Sequence, residues 1–271
     1  VHGDMIVWQD MRNGNWDIYA YDMNDEEEKR VTFNMSSEKI GDFYGDYIAF
    51  TRYNTLMTDF DFYRYNLETL DEELIAEDVY GGSANQQTNL LANDKYAVYT
   101  LSVGTGTYYS AYSRMWDFDS ETQTSLQSFL PKTYAYSMGL MSESAIFSNF
   151  NLETVPNHVT YQVDNLVVDL DSGNKRVFAS SEHDVYTGVE PATISGTVIS
   201  KATFISENEI VYVKDTFTGG TTYQRLLDLY KYDMDTGVTS RLDIPQLSGY
   251  LTDIVGDGDN GIFAYAYHPS T

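Results

Sequence analysis

The chain has 271 residues, with 41 acidic against 16 basic side chains (net charge −25), 42% apolar and 15% aromatic residues, and no cysteine. That charge excludes a nucleic-acid partner, whose phosphates need cations, and argues against an anionic membrane surface. The lack of cysteine excludes disulfides and thiolate metal sites, and the apolar content is ample for a packed core.

Residues 3–32 read as two apolar strands, over 5–9 and 17–22, joined through Asn13-Gly14 and followed by a polar turn and a short third strand. Asn-Gly between apolar runs predicts a type I′ hairpin turn, since both residues accept positive φ. Units of this kind recur, beginning at Gly3, Gly45, Asn93, Ser142, Ser206 and Gly256, at spacings of 42, 48, 49, 64 and 50 residues. A period of about 40 to 50 residues with three or four strands per unit is the mark of a β-propeller. The strand chemistry agrees. Ile6-Val7-Trp8, Ile48-Ala49-Phe50, Ala145-Ile146-Phe147 and Ile210-Val211-Tyr212 are apolar at successive positions, as in strands covered on both faces. The aromatic second strands fit the wide part of each wedge, and the polar stretches near 29–33 and 240–244 fit the rim. No stretch carries a capped helical period, and the acidic runs 24–28 and 71–73 read as turns. The expected fold is therefore all-β, a β-propeller of about five to six blades, each of three to four antiparallel strands, in one domain over residues 1–271.

Val7-Trp8-Gln9-Asp10, Arg12, Gly14-Asn15, Asp17-Ile18-Tyr19 and Val31-Thr32 resemble the TolB-type propeller repeat, an apolar strand followed by Asp-Arg, Gly-Asn, Asp-Ile-Tyr, a turn and Leu/Val-Thr. The match is partial at Phe60-Asp61-Phe62-Tyr63 and Leu227-Asp228-Leu229-Tyr230 and architectural elsewhere. Such repeats are frequent in secreted and cell-surface proteins of archaea and bacteria. The resemblance implies an extracellular or surface location, with the signal already removed, and an interaction-scaffold role. Two long connections, 149–161 and 182–201, interrupt the pattern and are the expected docking loops for a protein or a surface glycan. The first unit lacks a leading strand and the last stops after its second, so residues 250–255 are one source of the missing inner strand. The incomplete terminal blades also offer a route to a homo-oligomer.

Asp10, Arg12 and Asp17 are expected to tie down their loop, because turn Asp and Asn residues bond locally as a rule. The stretch 256–261 has the spacing of a dinucleotide-binding glycine motif, but a strand follows where that motif needs a helix N-terminus. Asp257 and Asp259 within it are the metal candidates, for calcium, with a plain turn as the simpler reading. The four histidines (His2, His158, His183, His268) are scattered without zinc-site spacing, and no nucleophile elbow occurs, so no catalytic residue is assigned and no other cofactor is expected. A glycosidase would need two close carboxylates, for which Asp10, Asp59, Asp61, Asp164 and Asp215 lie near strand ends. Tyr108, Tyr109, Tyr112 and Trp116 offer rings for a sugar or for blade packing. The leading expectation is a non-catalytic interaction scaffold. A carbohydrate-binding or carbohydrate-active propeller and a self-assembling surface-layer or filament subunit are the alternatives.

Overall fold

The structure is a computed structural model that describes residues 2–54, 59–77, 90–103, 110–132, 134–186, 193–218, 224–243, 249–256 and 263–269. Apart from a 3₁₀ turn at Leu126–Ser128, every regular element is a β-strand, and every strand pairing is antiparallel. Two compact units result, residues 1–127 and 128–271.

Unit 1 holds three sheets. The first is β1 (Met5–Asp10), β2 (Asp17–Asp22) and β3 (Glu27–Arg30). The second is β4 (Glu38–Tyr44), β5 (Tyr47–Asn54), β6 (Asp59–Asn66) and β7 (Glu72–Ala76). The third is β8 (Leu91–Ala92), β9 (Tyr96–Val103), β10 (Ser110–Asp117) and β11 (Thr122–Ser125). Successive apolar residues of β5 and β9 are buried on both faces, as their composition demands: Ile48, Ala49 and Phe50 lose all solvent contact, as do Ala97, Val98 and Tyr99, whereas Ile6-Val7-Trp8 of β1 is only partly covered. Ile18, Ala20, Ile48 and Phe50 pack the first sheet onto the second, and Ala49, Phe62, Ala97 and Tyr99 pack the second onto the third. The outer strands β3 and β11 are mostly exposed, as read for the rim.

Two expectations change here. Residues 11–16 form a wider connection in place of the tight type I′ turn. Gly14 alone takes positive φ (100°) and donates its N–H to Met11 O, while the Asn13 amide reaches Asp17 and Tyr19. The acidic runs are only partly turns, since β3 begins at Glu27 and β7 at Glu72. The reversals need just the residues before them, with Glu26 at φ 53° and Leu70 at φ 62°.

In unit 2, eight strands form one sheet: β12 (Tyr134–Met141), β13 (Ser144–Val155), β14 (His158–Asp169), β15 (Lys175–Tyr186), β16 (Thr193–Ser206), β17 (Glu209–Thr218), β18 (Gln224–Asp233) and β19 (Thr239–Arg241). β20 (Gly249–Gly256) and β21 (Phe263–Pro269) form a separate pair. The eight strands are two four-stranded groups whose inner residues, including Ile146, Val167, Phe178, Phe204, Ile210 and Tyr212, pack against each other. What merges them is the pairing of His183–Tyr186 with Thr193–Gly196.

Apart from the turn at Pro156 and Asn157, the described parts of 149–161 and 182–201 are therefore strand rather than loop. β13 and β14 stay in register out to Val155↔His158, with only Pro156 and Asn157 between them. Pro156 presets its own φ, and Asn157 accepts φ 63°, which is the requirement of a type II turn. Residues 250–255 are paired with β21 (Tyr250↔His268, Val255↔Ala264), a hairpin between near neighbours that closes at little entropic cost.

Candidate functional site

Asp10, Arg12 and Asp17 hold their loop together. The Arg12 backbone N–H and Nε each donate to Asp10 at 2.8 Å, and Nη1 donates to Glu28 at 2.5 Å. Those Arg12 bonds keep the Asp10 carboxyl below the usual carboxylate range. Asp17, fully buried, accepts from Asn13 and Asn15 at 2.9 Å each and pairs with Arg30 at 2.9 Å. Asp257, Asp259, Tyr108 and Tyr109 lie outside the described residues. Trp116 packs into the core between the second and third sheets, and Tyr112 is exposed. Among the described residues no group of three or more His, Asp or Glu side chains is placed to hold a metal ion.

The long strands of unit 2 gather side chains that the sequence keeps far apart. Alternation along a strand sends successive residues to opposite faces, and antiparallel register sets partners side by side. On one face Tyr136, Phe150, Tyr161 and His183, from four adjacent strands, form a row of rings. Ring centres are 5.5 Å apart for Tyr136 and Phe150, 6.0 Å for Phe150 and Tyr161, and 4.6 Å for Tyr161 and His183, the last pair nearly parallel at 7°. Tyr136 (42% exposed) and its neighbour Leu152 (38%) open the row to solvent, whereas Phe150 is buried.

Along the same face of β14 and β15 run three polar side chains whose enclosed atoms find no partner among the described residues. These are both amide atoms of the fully buried Asn165, the Ser181 hydroxyl and His183 Nδ1. Burial holds the His183 pKa below the ordinary imidazole value, against the pull of Asp184. The unfolded chain therefore binds the proton more readily. The stability contributed by neutral His183 is present above about pH 6.5 and is lost as the pH falls toward the folded value. Wild-type melting temperature should drop from about pH 7 to about pH 5 more steeply than that of His183→Phe, which keeps the stack on Tyr161; equal slopes would remove His183 as the cause.

The opposite face of these strands is polar. His158 Nε2 and Asp184 Oδ1 are 2.8 Å apart, and Thr160 Oγ1 donates to Asp184 at 2.7 Å. The Thr160 and His158 bonds hold the Asp184 carboxyl below the usual range. The His158 ring lies flat on Tyr186, 4.7 Å away at 2°. Further along, Asp164 pairs with Lys132 at 2.9 Å and accepts from Ser180 at 2.6 Å. Burial raises the Asp164 pKa, but the bonds from Ser180 and Lys132 outweigh it and leave the group below its ordinary value. Of the proposed carboxylates, Asp164 and Asp215 lie on β14 and β17 in unit 2, and Asp10 and Asp61 lie on β1 and β6 in unit 1. The side chain of Asp59 lies outside the described residues.

No protein-family model matches the chain, and a search of curated protein sequences finds no match. Solved structures do match. An oligogalacturonate lyase in complex with manganese aligns at TM-score 0.58 with 13% identity, over 95% of this chain and 68% of the lyase. TolB from Acinetobacter baumannii, of the family named above from the repeat residues, aligns at 0.49 with 14% identity, over 90% of this chain and 52% of TolB. An acylaminoacyl peptidase from Pyrococcus horikoshii aligns at 0.46 with 11% identity, over 98% of this chain and 47% of the peptidase. The chain thus spans about two thirds of the lyase and about half of the other two. The likeness to the lyase shows the fold, an all-β propeller. It also corrects the expectation of a non-catalytic interaction scaffold: the same fold is found in an enzyme, so the propeller gives that role no support.

Proposed function

We propose that this protein binds a neutral oligosaccharide along the row Tyr136, Phe150, Tyr161 and His183. The observation that carries the reading is the run of contiguous rings across four strands of one sheet face, open to solvent at Tyr136 and Leu152. Pyranose rings present apolar C–H faces that lie on aromatic surfaces, and their hydroxyls both donate and accept. None of the side chains in the row is a fixed charge. Oligogalacturonate, named for the lyase, is polyanionic, and a chain of net charge −25 would repel it. Neutral glycans suit both the row and the charge.

The test is calorimetric titration of the whole chain with maltohexaose, cellohexaose and xylohexaose, with an oligogalacturonate of similar length as the charged control. Saturable binding of at least one neutral probe is expected, weakened about ten-fold or more by Tyr161→Ala and less by Tyr136→Ala. Binding indifferent to both substitutions, absent for every neutral probe, or tightest for the uronate would refute the reading. The melting temperature of Tyr136→Ala, at an exposed position, checks that lost binding is not lost folding.

A further inference from the structure

Residues 31–37, which join β3 to β4, hold the one Asn-X-Ser/Thr sequence of the chain, Asn34-Met35-Ser36. That spacing is the acceptor pattern for N-linked glycosylation where the asparagine lies on a surface loop and its amide nitrogen can be reached. Both conditions hold. The loop lies outside any strand, and Phe33, Asn34 and Met35 are all exposed. The Asn34 carboxamide uses its oxygen alone: Oδ1 accepts the Ser36 N–H at 2.9 Å, and Nδ2 makes no hydrogen bond among the described residues. The Asn15 amide donates to Asn34 O at 3.1 Å and to Ser36 O at 3.0 Å, so the loop is held through its main chain.

A second, independent observation points to a cover over this loop. Met35 is 95% exposed and Phe33 70%, one on either side of Asn34. Large apolar side chains left open to this extent are unfavourable in water and invite self-association. A hydrated oligosaccharide on the residue between them would shield both. We infer that Asn34 is an N-glycosylation site, which takes its sugar from a polyprenyl phosphate- or pyrophosphate-linked oligosaccharide outside the cytoplasm. Nδ2 attacks the anomeric carbon, and the C–N bond forms as the bond from that carbon to the phosphate oxygen breaks. The lipid phosphate leaves with the electron pair, and the amide proton passes to a base of the transferase. The product is still an amide whose Oδ1 keeps the Ser36 N–H, so the attached sugar removes no hydrogen bond from the fold.

Peptide mapping by mass spectrometry, on the protein purified from the cells that produce it, is the test. Trypsin cleaves after Arg30 and Lys39, and the resulting peptide 31–39 should carry a sugar-chain mass on Asn34 and shed sugar fragment ions. Ser36→Ala, which removes a hydroxyl without a partner among the described residues, should leave that peptide bare, and Ser36→Thr should keep the sugar. Asn34→Gln should be held longer on a hydrophobic-interaction column than the glycosylated chain, because Phe33 and Met35 stay open. A bare wild-type peptide, a sugar on Ser36 or Ser37 in place of Asn34, or a sugar that survives Ser36→Ala would overturn the inference. Equal column retention would overturn the covering role.

Discussion

Arg52→Met is expected to cost about 3–5 kcal/mol of unfolding free energy. Arg52 stands opposite Glu38 in the β4–β5 register. Its Nε donates to Glu38 Oε1 at 2.9 Å, and its two terminal nitrogens donate to Glu72 at 2.7 Å each. The other Glu38 oxygen accepts from Thr32 Oγ1 at 3.1 Å, and that hydroxyl accepts the Ile18 N–H at 2.9 Å. The Glu38 side chain has no solvent contact. Burial raises its pKa despite the opposing bonds from Arg52 and Thr32, so ionised Glu38 is held at a cost even with its partner present.

Removing Arg52 leaves that carboxylate enclosed and unpaired. Glu38→Gln instead leaves an uncharged acceptor for Arg52 and should cost only about 1 kcal/mol. The pH dependence carries the same sign. A carboxyl whose folded pKa is raised gives stability that is present below its unfolded value, about 4.3, and is lost as the pH rises through the folded value. Arg52→Met should therefore weaken further from about pH 5 to about pH 8, and the double variant with Glu38→Gln should not. Urea unfolding of the two single variants decides the matter: equal costs would mean that burial of the carboxylate is not the cause.

Gly196→Ala should destabilise unit 2 by about 2–4 kcal/mol and weaken glycan binding with it. Gly196 has φ 105°, a conformation that a Cβ opposes. A Cβ there would stand 2.5 Å from the Glu182 carbonyl oxygen and 2.8 Å from His183 Cα. Both atoms are backbone and cannot turn aside. Relief must come from moving β16 off β15, and their pairing spans only His183–Tyr186 against Thr193–Gly196. His183, the inner end of the ring row, would shift with it. Gly237→Ala is the control: φ is 72° and nothing lies within 4 Å of the added methyl, so only the backbone penalty of about 1 kcal/mol remains. Thermal unfolding of the two variants should separate them clearly, and similar melting temperatures would place the effect in φ rather than in the contact.

Much of the fold was legible because its causes are local. Ile48-Ala49-Phe50 and Ala145-Ile146-Phe147 are apolar at consecutive positions, which only a strand covered on both faces tolerates, and their recurrence marks the units. Asp10, Arg12 and Asp17 could be read as loop ties because each bonds within a few residues or across one hairpin. The ring row was not legible. Tyr136, Phe150, Tyr161 and His183 become neighbours through the register of three strand pairs, and sequence spacing does not reveal register when loops and strands share the same residues. Asn149, Asn151, Glu153, Pro156 and Asn157 have the composition of a loop, yet all but the last two lie in β13. Glu38 and Arg52 are hidden in the sequence for a related reason, since a charged residue within a strand ordinarily faces solvent.

The shared ladder of the eight-stranded sheet also restricts how this protein can change over generations. Blades that touch only through side chains can each gain or lose strand residues alone. Here β13, β14, β15 and β16 are joined rung by rung at their far ends, and a single-residue insertion in β14 would turn every side chain beyond it to the wrong face. Length at this end varies in matched pairs across a hairpin or through a bulge such as the one β15 carries at Phe178, so the two blades are inherited as one block.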